Sequence, residues 1–292
     1  MHDHSHIHTS DGIRWAFFLN LVFTIIEFIG GYLTNSTAIM ADAVHDLGDS
    51  LSIGLAWVLD LVGKRKPDKE FSYGYRRFSL LGALINGLVL IVGSGWVLSI
   101  ALPRLVDPQL PEVQGMFWLA ILGVAVNGFA VLKLRKGKTL NEKVLNWHLL
   151  EDVFGWVAVL VVAIILFFFE APILDPLLSI GFTLFILLNV LKNVFSTAKL
   201  FLQGVPNDNL RGDLFRQLKQ FEVVADVHHL HLWSLDGEHH VLTAHLVIKS
   251  SLNPPEQLTL KKQIAQSLKS YELEHTTIEL EFPEENCRDE NG

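Results

Sequence analysis

His45-Asp46-Leu47-Gly48-Asp49 and, a hundred residues later, His148-Leu149-Leu150-Glu151-Asp152 place a histidine and an aspartate four positions apart inside hydrophobic surroundings. On a helix that spacing puts both side chains on one face. An ionised group near the middle of a bilayer costs about 2.5–3.5 kcal/mol on insertion scales. Two segments that carry this cost with the same pair of residues point to a shared task. Two imidazoles and two carboxylates brought together from facing helices make a four-ligand tetrahedral site, the arrangement Zn²⁺ prefers with nitrogen and oxygen donors. The bland alternative is that each pair satisfies itself locally, which leaves the repetition unexplained.

The surroundings set the fold class. Half of the 292 residues are hydrophobic and only 18% are charged. A bilayer span needs about 20 mostly apolar residues, and six segments qualify, at roughly 14–33, 38–62, 78–101, 114–134, 144–169 and 172–199. The first is no signal peptide, because it lacks a short apolar core with a small-residue cleavage site and holds Glu27. The expectation is an α-helical membrane protein with six transmembrane helices over 14–203.

Basic residues orient it. The connection after the second segment holds Lys64, Arg65, Lys66, Lys69, Arg76 and Arg77, and the one after the fourth holds Lys133, Arg135, Lys136, Lys138 and Lys143. Residues 34–37 and 169–173 carry no Lys or Arg, and the connection after the third segment has only Arg104. Basic loops stay in the cytoplasm. Strict alternation over an even span count therefore predicts that both termini are cytoplasmic, in the cell's inner or plasma membrane.

From residue 204 onward the chain changes character, with fifteen acidic residues against eight basic ones. Such a domain should not lie flat on an anionic leaflet, and no nucleic-acid partner is expected. Its pattern reads α-β-β-α-β. A helix at 207–220 has Asn207 and Asp208 as candidate caps. Strands at 227–233 and 240–249 join through Asp236-Gly237. A helix opens at Pro254-Pro255, and a last strand covers 275–282. Strict alternation sorts Leu230, Leu232, Leu242, Ala244, Leu246, Ile248, Ile278 and Leu280 toward the helices. His229, His231, Trp233, His245, His275, Glu279 and Glu281 then share the open face. This predicts a cytoplasmic α+β unit at 204–292, ferredoxin-like or metallochaperone-like. His229 and His245 are its first candidates for metal, with His231, His275, Glu279 and Glu281 behind them. The single Cys287 excludes an intramolecular disulfide.

With these residues on the page, the chain resembles the cation diffusion facilitator family, in its zinc/cadmium branch. The resemblance rests on residues 36–49, on Phe71-Ser72-Tyr73-Gly74-Tyr75-Arg76-Arg77, on Trp147-His148-Leu149-Leu150-Glu151-Asp152 and on His229-Leu230-His231-Leu232-Trp233-Ser234. It implies a homodimer in the lipid bilayer that exports divalent metal from the cytoplasm in exchange for protons. His45, Asp49, His148 and Asp152 match the family's transport ligands, between spans two and five. His229 and His245 match positions that bind regulatory metal in the soluble domain. Glu279 stands where some relatives have histidine, and the loop after span two holds no histidine for a further loop site.

Zn²⁺ is the expected substrate and regulatory ion, with Cd²⁺ or Co²⁺ as further candidates; Mg²⁺ and Ca²⁺ prefer oxygen-only, higher-coordinate sites. His2, His4, His6 and His8 make residues 1–13 a histidine-rich cytoplasmic tail without imposed geometry, suited to holding metal loosely or else dispensable. Asn20, Glu27 and Asn127 are expected to make interhelical hydrogen bonds. Two other functions stay open. An integral-membrane zinc enzyme would need an open coordination position and a general base, whereas four ligands fill this site and Glu151 projects from another helix face. A metal-sensing membrane scaffold would need no ligands in the bilayer.

Overall fold

A computed structural model describes residues 6–63, 65–134, 140–287 and 289, with side chains excepted at 6–16, 56–57, 60–61, 133–134 and 140–149. Six long helices come first: α1 (His6–Thr34), α2 (Thr37–Gly63), α3 (Phe78–Ala101), α4 (Val113–Leu134), α5 (Leu140–Phe168) and α6 (Leu174–Phe201). Among the described residues, five are long and apolar enough to cross a membrane, namely all but α2. At about 1.5 Å per residue, the 27 residues of α2 are long enough; its composition sets it apart. Asp42, His45, Asp46 and Asp49 fall within eight positions of one another. α1 begins at His6, so two histidines of the tail, His6 and His8, continue the helix; His2 and His4 lie outside the described residues.

The chain divides into two compact units, residues 1–58 with 85–194, and residues 59–84 with 195–292. In the first, α4 and α5 pack tightly around Phe23, Ile39, Met116, Trp156 and Val159. The buried Asp175 in the first turn of α6 fastens the start of α2. Its Oδ1 accepts hydrogen bonds from Ser36 Oγ (2.5 Å) and Ala38 N (3.2 Å), and its Oδ2 from Thr37 N and Thr37 Oγ1 (2.7 Å each). One turn on, Ser179 Oγ donates to Thr37 O (2.9 Å). A carboxylate that takes backbone N–H groups at a helix N-terminus satisfies orphan donors and opposes the helix dipole. Asp175→Asn keeps the shape and turns one acceptor into a donor facing donors. It should cost about 1–3 kcal/mol, read as a lowered melting temperature in detergent; an unchanged melt would show that the clamp adds nothing.

The second unit carries α7 (Asp208–Lys219), β1 (Val224–Ser234), β2 (His240–Ile248), α8 (Pro254–Ser267) and β3 (Leu273–Glu281). The sheet order is β1-β2-β3; β1 and β2 are antiparallel, and β3 returns parallel to β2 after α8. Asn207 caps α7 by accepting from Asn209 N and Leu210 N. α8 opens on a reciprocal capping box between Asn253 and Glu256, with proline in its first turn, where a missing N–H costs nothing. Leu214 and Leu218 of α7 and Leu260 and Ile264 of α8 bury against Leu230, Leu232, Leu242, Ala244, Leu246 and Ile248, with Ile278 and Leu280 packed alongside.

The strict alternation expected over 227–233 fails at one place. A register shift separates His228 from His231, and His229 sits at φ +46°. This bulge puts Val227 and Leu230, three residues apart, into the same core. His228, not His229, therefore pairs across the ladder with His245.

The connection between α2 and α3 belongs to this unit. Asp68 Oδ2 accepts from the Tyr75 hydroxyl (2.6 Å). That bond and the backbone N–H groups of Phe71 and Glu70 hold the Asp68 carboxyl below the usual carboxylate range. Arg76 pairs with Glu274 (3.4 Å) and Asp236 (3.7 Å), and the Tyr73 ring stands edge-on to Trp233 and His275.

Candidate metal centres

In the helical unit, α2 presents His45 and Asp49 from successive turns, with His45 Nε2 3.6 Å from Asp49 Oδ2. α5 brings Asp152 to the same point, its Oδ1 3.7 Å from His45 Nε2. The three ligand atoms lie within 4.8 Å of one another. In a tetrahedral site with bonds near 2.0 Å, neighbouring ligand atoms stand about 3.3 Å apart, so the two carboxylates need to close on His45 Nε2 by only a few tenths of an ångström. The His148 side chain lies outside the described residues. Its backbone stands one turn before Asp152 on α5.

Packing holds these helices close. A Cβ on Gly48, between His45 and Asp49, would meet Leu90 of α3 at 2.4 Å, and one on Gly155 would meet Phe182 of α6 at 2.8 Å. α1 braces the far side of α2, where Asn20 Nδ2 donates to Asp46 O (3.2 Å) and Ser50 Oγ (3.0 Å). Asn20 thus bonds between helices as expected, whereas Asn127 spends its amide within α4, on Gly123 O (3.2 Å). Glu27, Asp42 and Asp46 are all buried, and the Glu27 carboxylate faces Asp46 and Asp42. His45, Asp49 and Asp152 line a cavity of about 500 Å³ that Glu151 also lines. One cavity wider than a single stripe of ligands therefore takes in the helix face on which Glu151 was set apart.

The second cluster lies beside the sheet. His228, His245, Glu281 and Cys287 each offer a ligand atom within 4.8 Å of the others. Glu281 lies between two imidazoles, with Oε2 2.7 Å from His228 Nε2 and Oε1 2.7 Å from His245 Nδ1. Cys287 Sγ stands 3.7 Å from His245 Nδ1. Burial pushes the Glu281 carboxyl up, but hydrogen bonds with Cys287, His228 and His245 outweigh it and hold the pKa below the usual range. Burial, joined by the neighbouring carboxylates, pushes the Cys287 thiol up. Two nitrogens, an oxygen and a sulfur form a donor set for a borderline metal such as Zn²⁺.

Of the residues expected here, His245 and Glu281 belong to this cluster. Glu279 approaches it, with Oε2 3.7 Å from His245 Nε2. The His229 ring centroid is 5.1 Å from that of His245, the exposed His231 lies beyond His229, and the exposed His275 sits against Tyr73. Sequence reasoning missed His228 and Cys287. The doublet His228-His229 was a usable signal, since either member can face a partner once a bulge is allowed.

Comparison with known proteins adds a second line of evidence. The cation efflux transmembrane domain matches residues 13–202, and the cytoplasmic domain of cation efflux proteins matches residues 206–282. The chain belongs to the cation efflux family. Its relatives include the cadmium, cobalt and zinc/H(+)-K(+) antiporter of Bacillus subtilis, 29% identical over 98% of this chain and 93% of that protein. The zinc transporter ZitB of Pectobacterium atrosepticum is 31% identical over 99% and 91%. The metal cation efflux system protein CzcD of Cupriavidus metallidurans is 31% identical over 96% and 90%. Cation efflux proteins are membrane transporters and not enzymes, which sets the membrane-enzyme alternative aside.

Proposed function

We propose that this cation efflux protein exports divalent transition metal, zinc before cadmium or cobalt, from the cytoplasm in exchange for protons. The transport site is a His45, Asp49, His148, Asp152 tetrahedron between α2 and α5. The observation that carries this reading is the approach of Asp152 from α5 to the His45–Asp49 pair of α2. The relatives' names, which include zinc, cadmium and cobalt, support the same substrates. α2 serves as the sixth span, because Asp49 turns to the site and Asp42 and Asp46 are buried rather than turned to lipid. Both termini are cytoplasmic, in the inner or plasma membrane. The cytoplasmic domains pair in a homodimer, and their cluster of His228, His245, Glu281 and Cys287 holds regulatory metal. The domain division at residues 203 and 204 belongs to this reading, as does loose metal capture by the histidine tail.

Exchange follows from shared lone pairs. Imidazole nitrogens and carboxylate oxygens bind either a metal ion or protons, and an ordinary imidazole with a pKa near 6.5 switches between them at cellular pH. Facing the cytoplasm, metal displaces protons; facing a more acidic exterior, protons help expel metal. The same groups serve both ions, so no separate proton path is required. A membrane sensor would have no use for ligands inside the bilayer.

Purified protein in proteoliposomes tests this directly. A pH gradient, acidic on the side that receives metal, should drive Zn²⁺ accumulation severalfold above a collapsed gradient, with proton movement in the opposite sense. Accumulation indifferent to the gradient would remove proton coupling, and no zinc flux would remove the transporter reading.

A further inference from the structure

The transport ligands occupy only one end of their cavity. The rest of its polar wall comes from Ser52 of α2, Asn86 of α3, Glu151 of α5 and Asn189 and Asn193 of α6. Chain direction sets all five on one side of the ligands. Ser52 follows Asp49 toward the end of α2, which leads into the basic connection 64–77, and Asn86 lies a little over two turns into α3 from that same connection. Glu151 precedes Asp152 and so lies nearer the start of α5, where the basic segment 133–143 attaches. Asn189 and Asn193 occupy the second half of α6, toward the soluble domain. By the distribution of Lys and Arg this is the cytoplasmic end.

Glu151 is exposed, although it lies within the apolar stretch Leu150–Phe168 of α5. A carboxylate turned to lipid at that depth would be costly; one that lines a cavity of about 500 Å³ can stay hydrated. At roughly 30 Å³ per water, such a cavity admits a divalent ion with its six first-shell waters. Asn86 Nδ2 donates to Ser52 Oγ (2.7 Å), while its buried Oδ1 meets no hydrogen-bond partner among the described residues.

We infer that Glu151, with the amides of Asn86, Asn189 and Asn193, forms an outer subsite that receives the hydrated metal ion from the cytoplasm before His45, Asp49 and Asp152 strip its water. The inference rests on the transporter reading above. Glu151 attracts the ion through charge and through its water shell, and the neutral amides orient that shell without holding it. Division of labour follows: the outer subsite sets how readily metal is captured, and the inner ligands set whether it is carried.

The test is zinc uptake by everted vesicles, whose cytoplasmic face is outside, at low and high concentrations of choline chloride. Glu151→Gln should raise KM about tenfold at low salt, the modest end of electrostatic capture effects, with maximal rate within about twofold of wild type. Salt should weaken capture by wild type and leave Glu151→Gln nearly unaffected. Glu151→Asp, which keeps the charge, should restore most of the affinity and the salt response. An unchanged KM with parallel salt responses would overturn the inference, as would complete loss of flux in Glu151→Gln, which would make Glu151 an inner ligand. Should Glu151→Gln not accumulate in the membrane, a joint Asn189→Ala, Asn193→Ala variant decides: KM raised with salt response retained supports the subsite, and an unaltered KM refutes it. Asp49→Ala keeps the two readings apart. If it transports normally the transporter site itself is wrong; if it is inactive while Glu151→Gln behaves as wild type, only the outer subsite falls.

Discussion

Asp152→Ala should reduce zinc flux at least about 100-fold while leaving protein that inserts and purifies like wild type. Asp152 is the group through which α5 reaches the His45–Asp49 pair of α2, with its Oδ1 3.7 Å from His45 Nε2. Without it α2 keeps two ligands, and an incomplete shell loses both affinity and tetrahedral geometry. The loss exceeds the 10–100-fold typical of groups that merely orient a ligand. Folding should survive, because the side chain borders a cavity and removing it deletes a carboxylate near Asp49 instead of emptying an apolar core. Asp152→Asn should be nearly as inactive, since an amide oxygen is a poorer metal ligand and brings no charge. Flux above a tenth of wild type in either variant would sink the assignment, and loss of folded protein would mean that Asp152 also holds the bundle together.

The helical half was legible because its chemistry is written in spacing. His45 and Asp49 stand one turn apart on one helix, and Asp152 arrives from the helix that its own motif marked. Hydropathy found α1 and α3 to α6 without difficulty; α2 is harder, because Asp42, Asp46 and Asp49 dilute its apolar character. Asp175 gave no sequence signal. An acid in the first turn of α6 looks like routine dipole compensation, and only the fold shows that its four hydrogen bonds go to α2. Glu151 was set apart from the ligands on similar grounds. Neighbouring helix positions differ by about 100°, which separates faces on paper, yet one broad cavity takes in both. In the sheet, strict alternation sorted β2 well and failed in β1, where one inserted residue exchanges the faces of His228 and His229. Cys287 follows β3 in an irregular segment, whose geometry no periodicity encodes.

That exchange of faces leads to the second large effect, which should fall on His228 and spare its neighbour. In full-length protein, Zn²⁺ at about 100 times its dissociation constant should add about 2.7 kcal/mol to the stability of the fold that binds it, a roughly 100-fold slowing of amide hydrogen exchange in β1 and β2. His228→Ala and His245→Ala should each abolish that protection, because each removes a nitrogen within 2.7 Å of Glu281. His229→Ala should retain it, since the bulge turns that ring out of the four-residue cluster. Cys287→Ser exchanges a soft sulfur for a hard oxygen and should weaken Cd²⁺ binding more than Zn²⁺ binding. Transport should continue in all four variants at high zinc, because the ligands on α2 and α5 are untouched, and its response to low cytoplasmic zinc should be blunted in the first two. If His229→Ala lost protection while His228→Ala kept it, the metal would be using the face that strict alternation predicts, and the bulge would not describe the metal-bound sheet. If His228→Ala and His245→Ala abolished flux at every zinc concentration, the cluster would lie on the transport path and would not be regulatory.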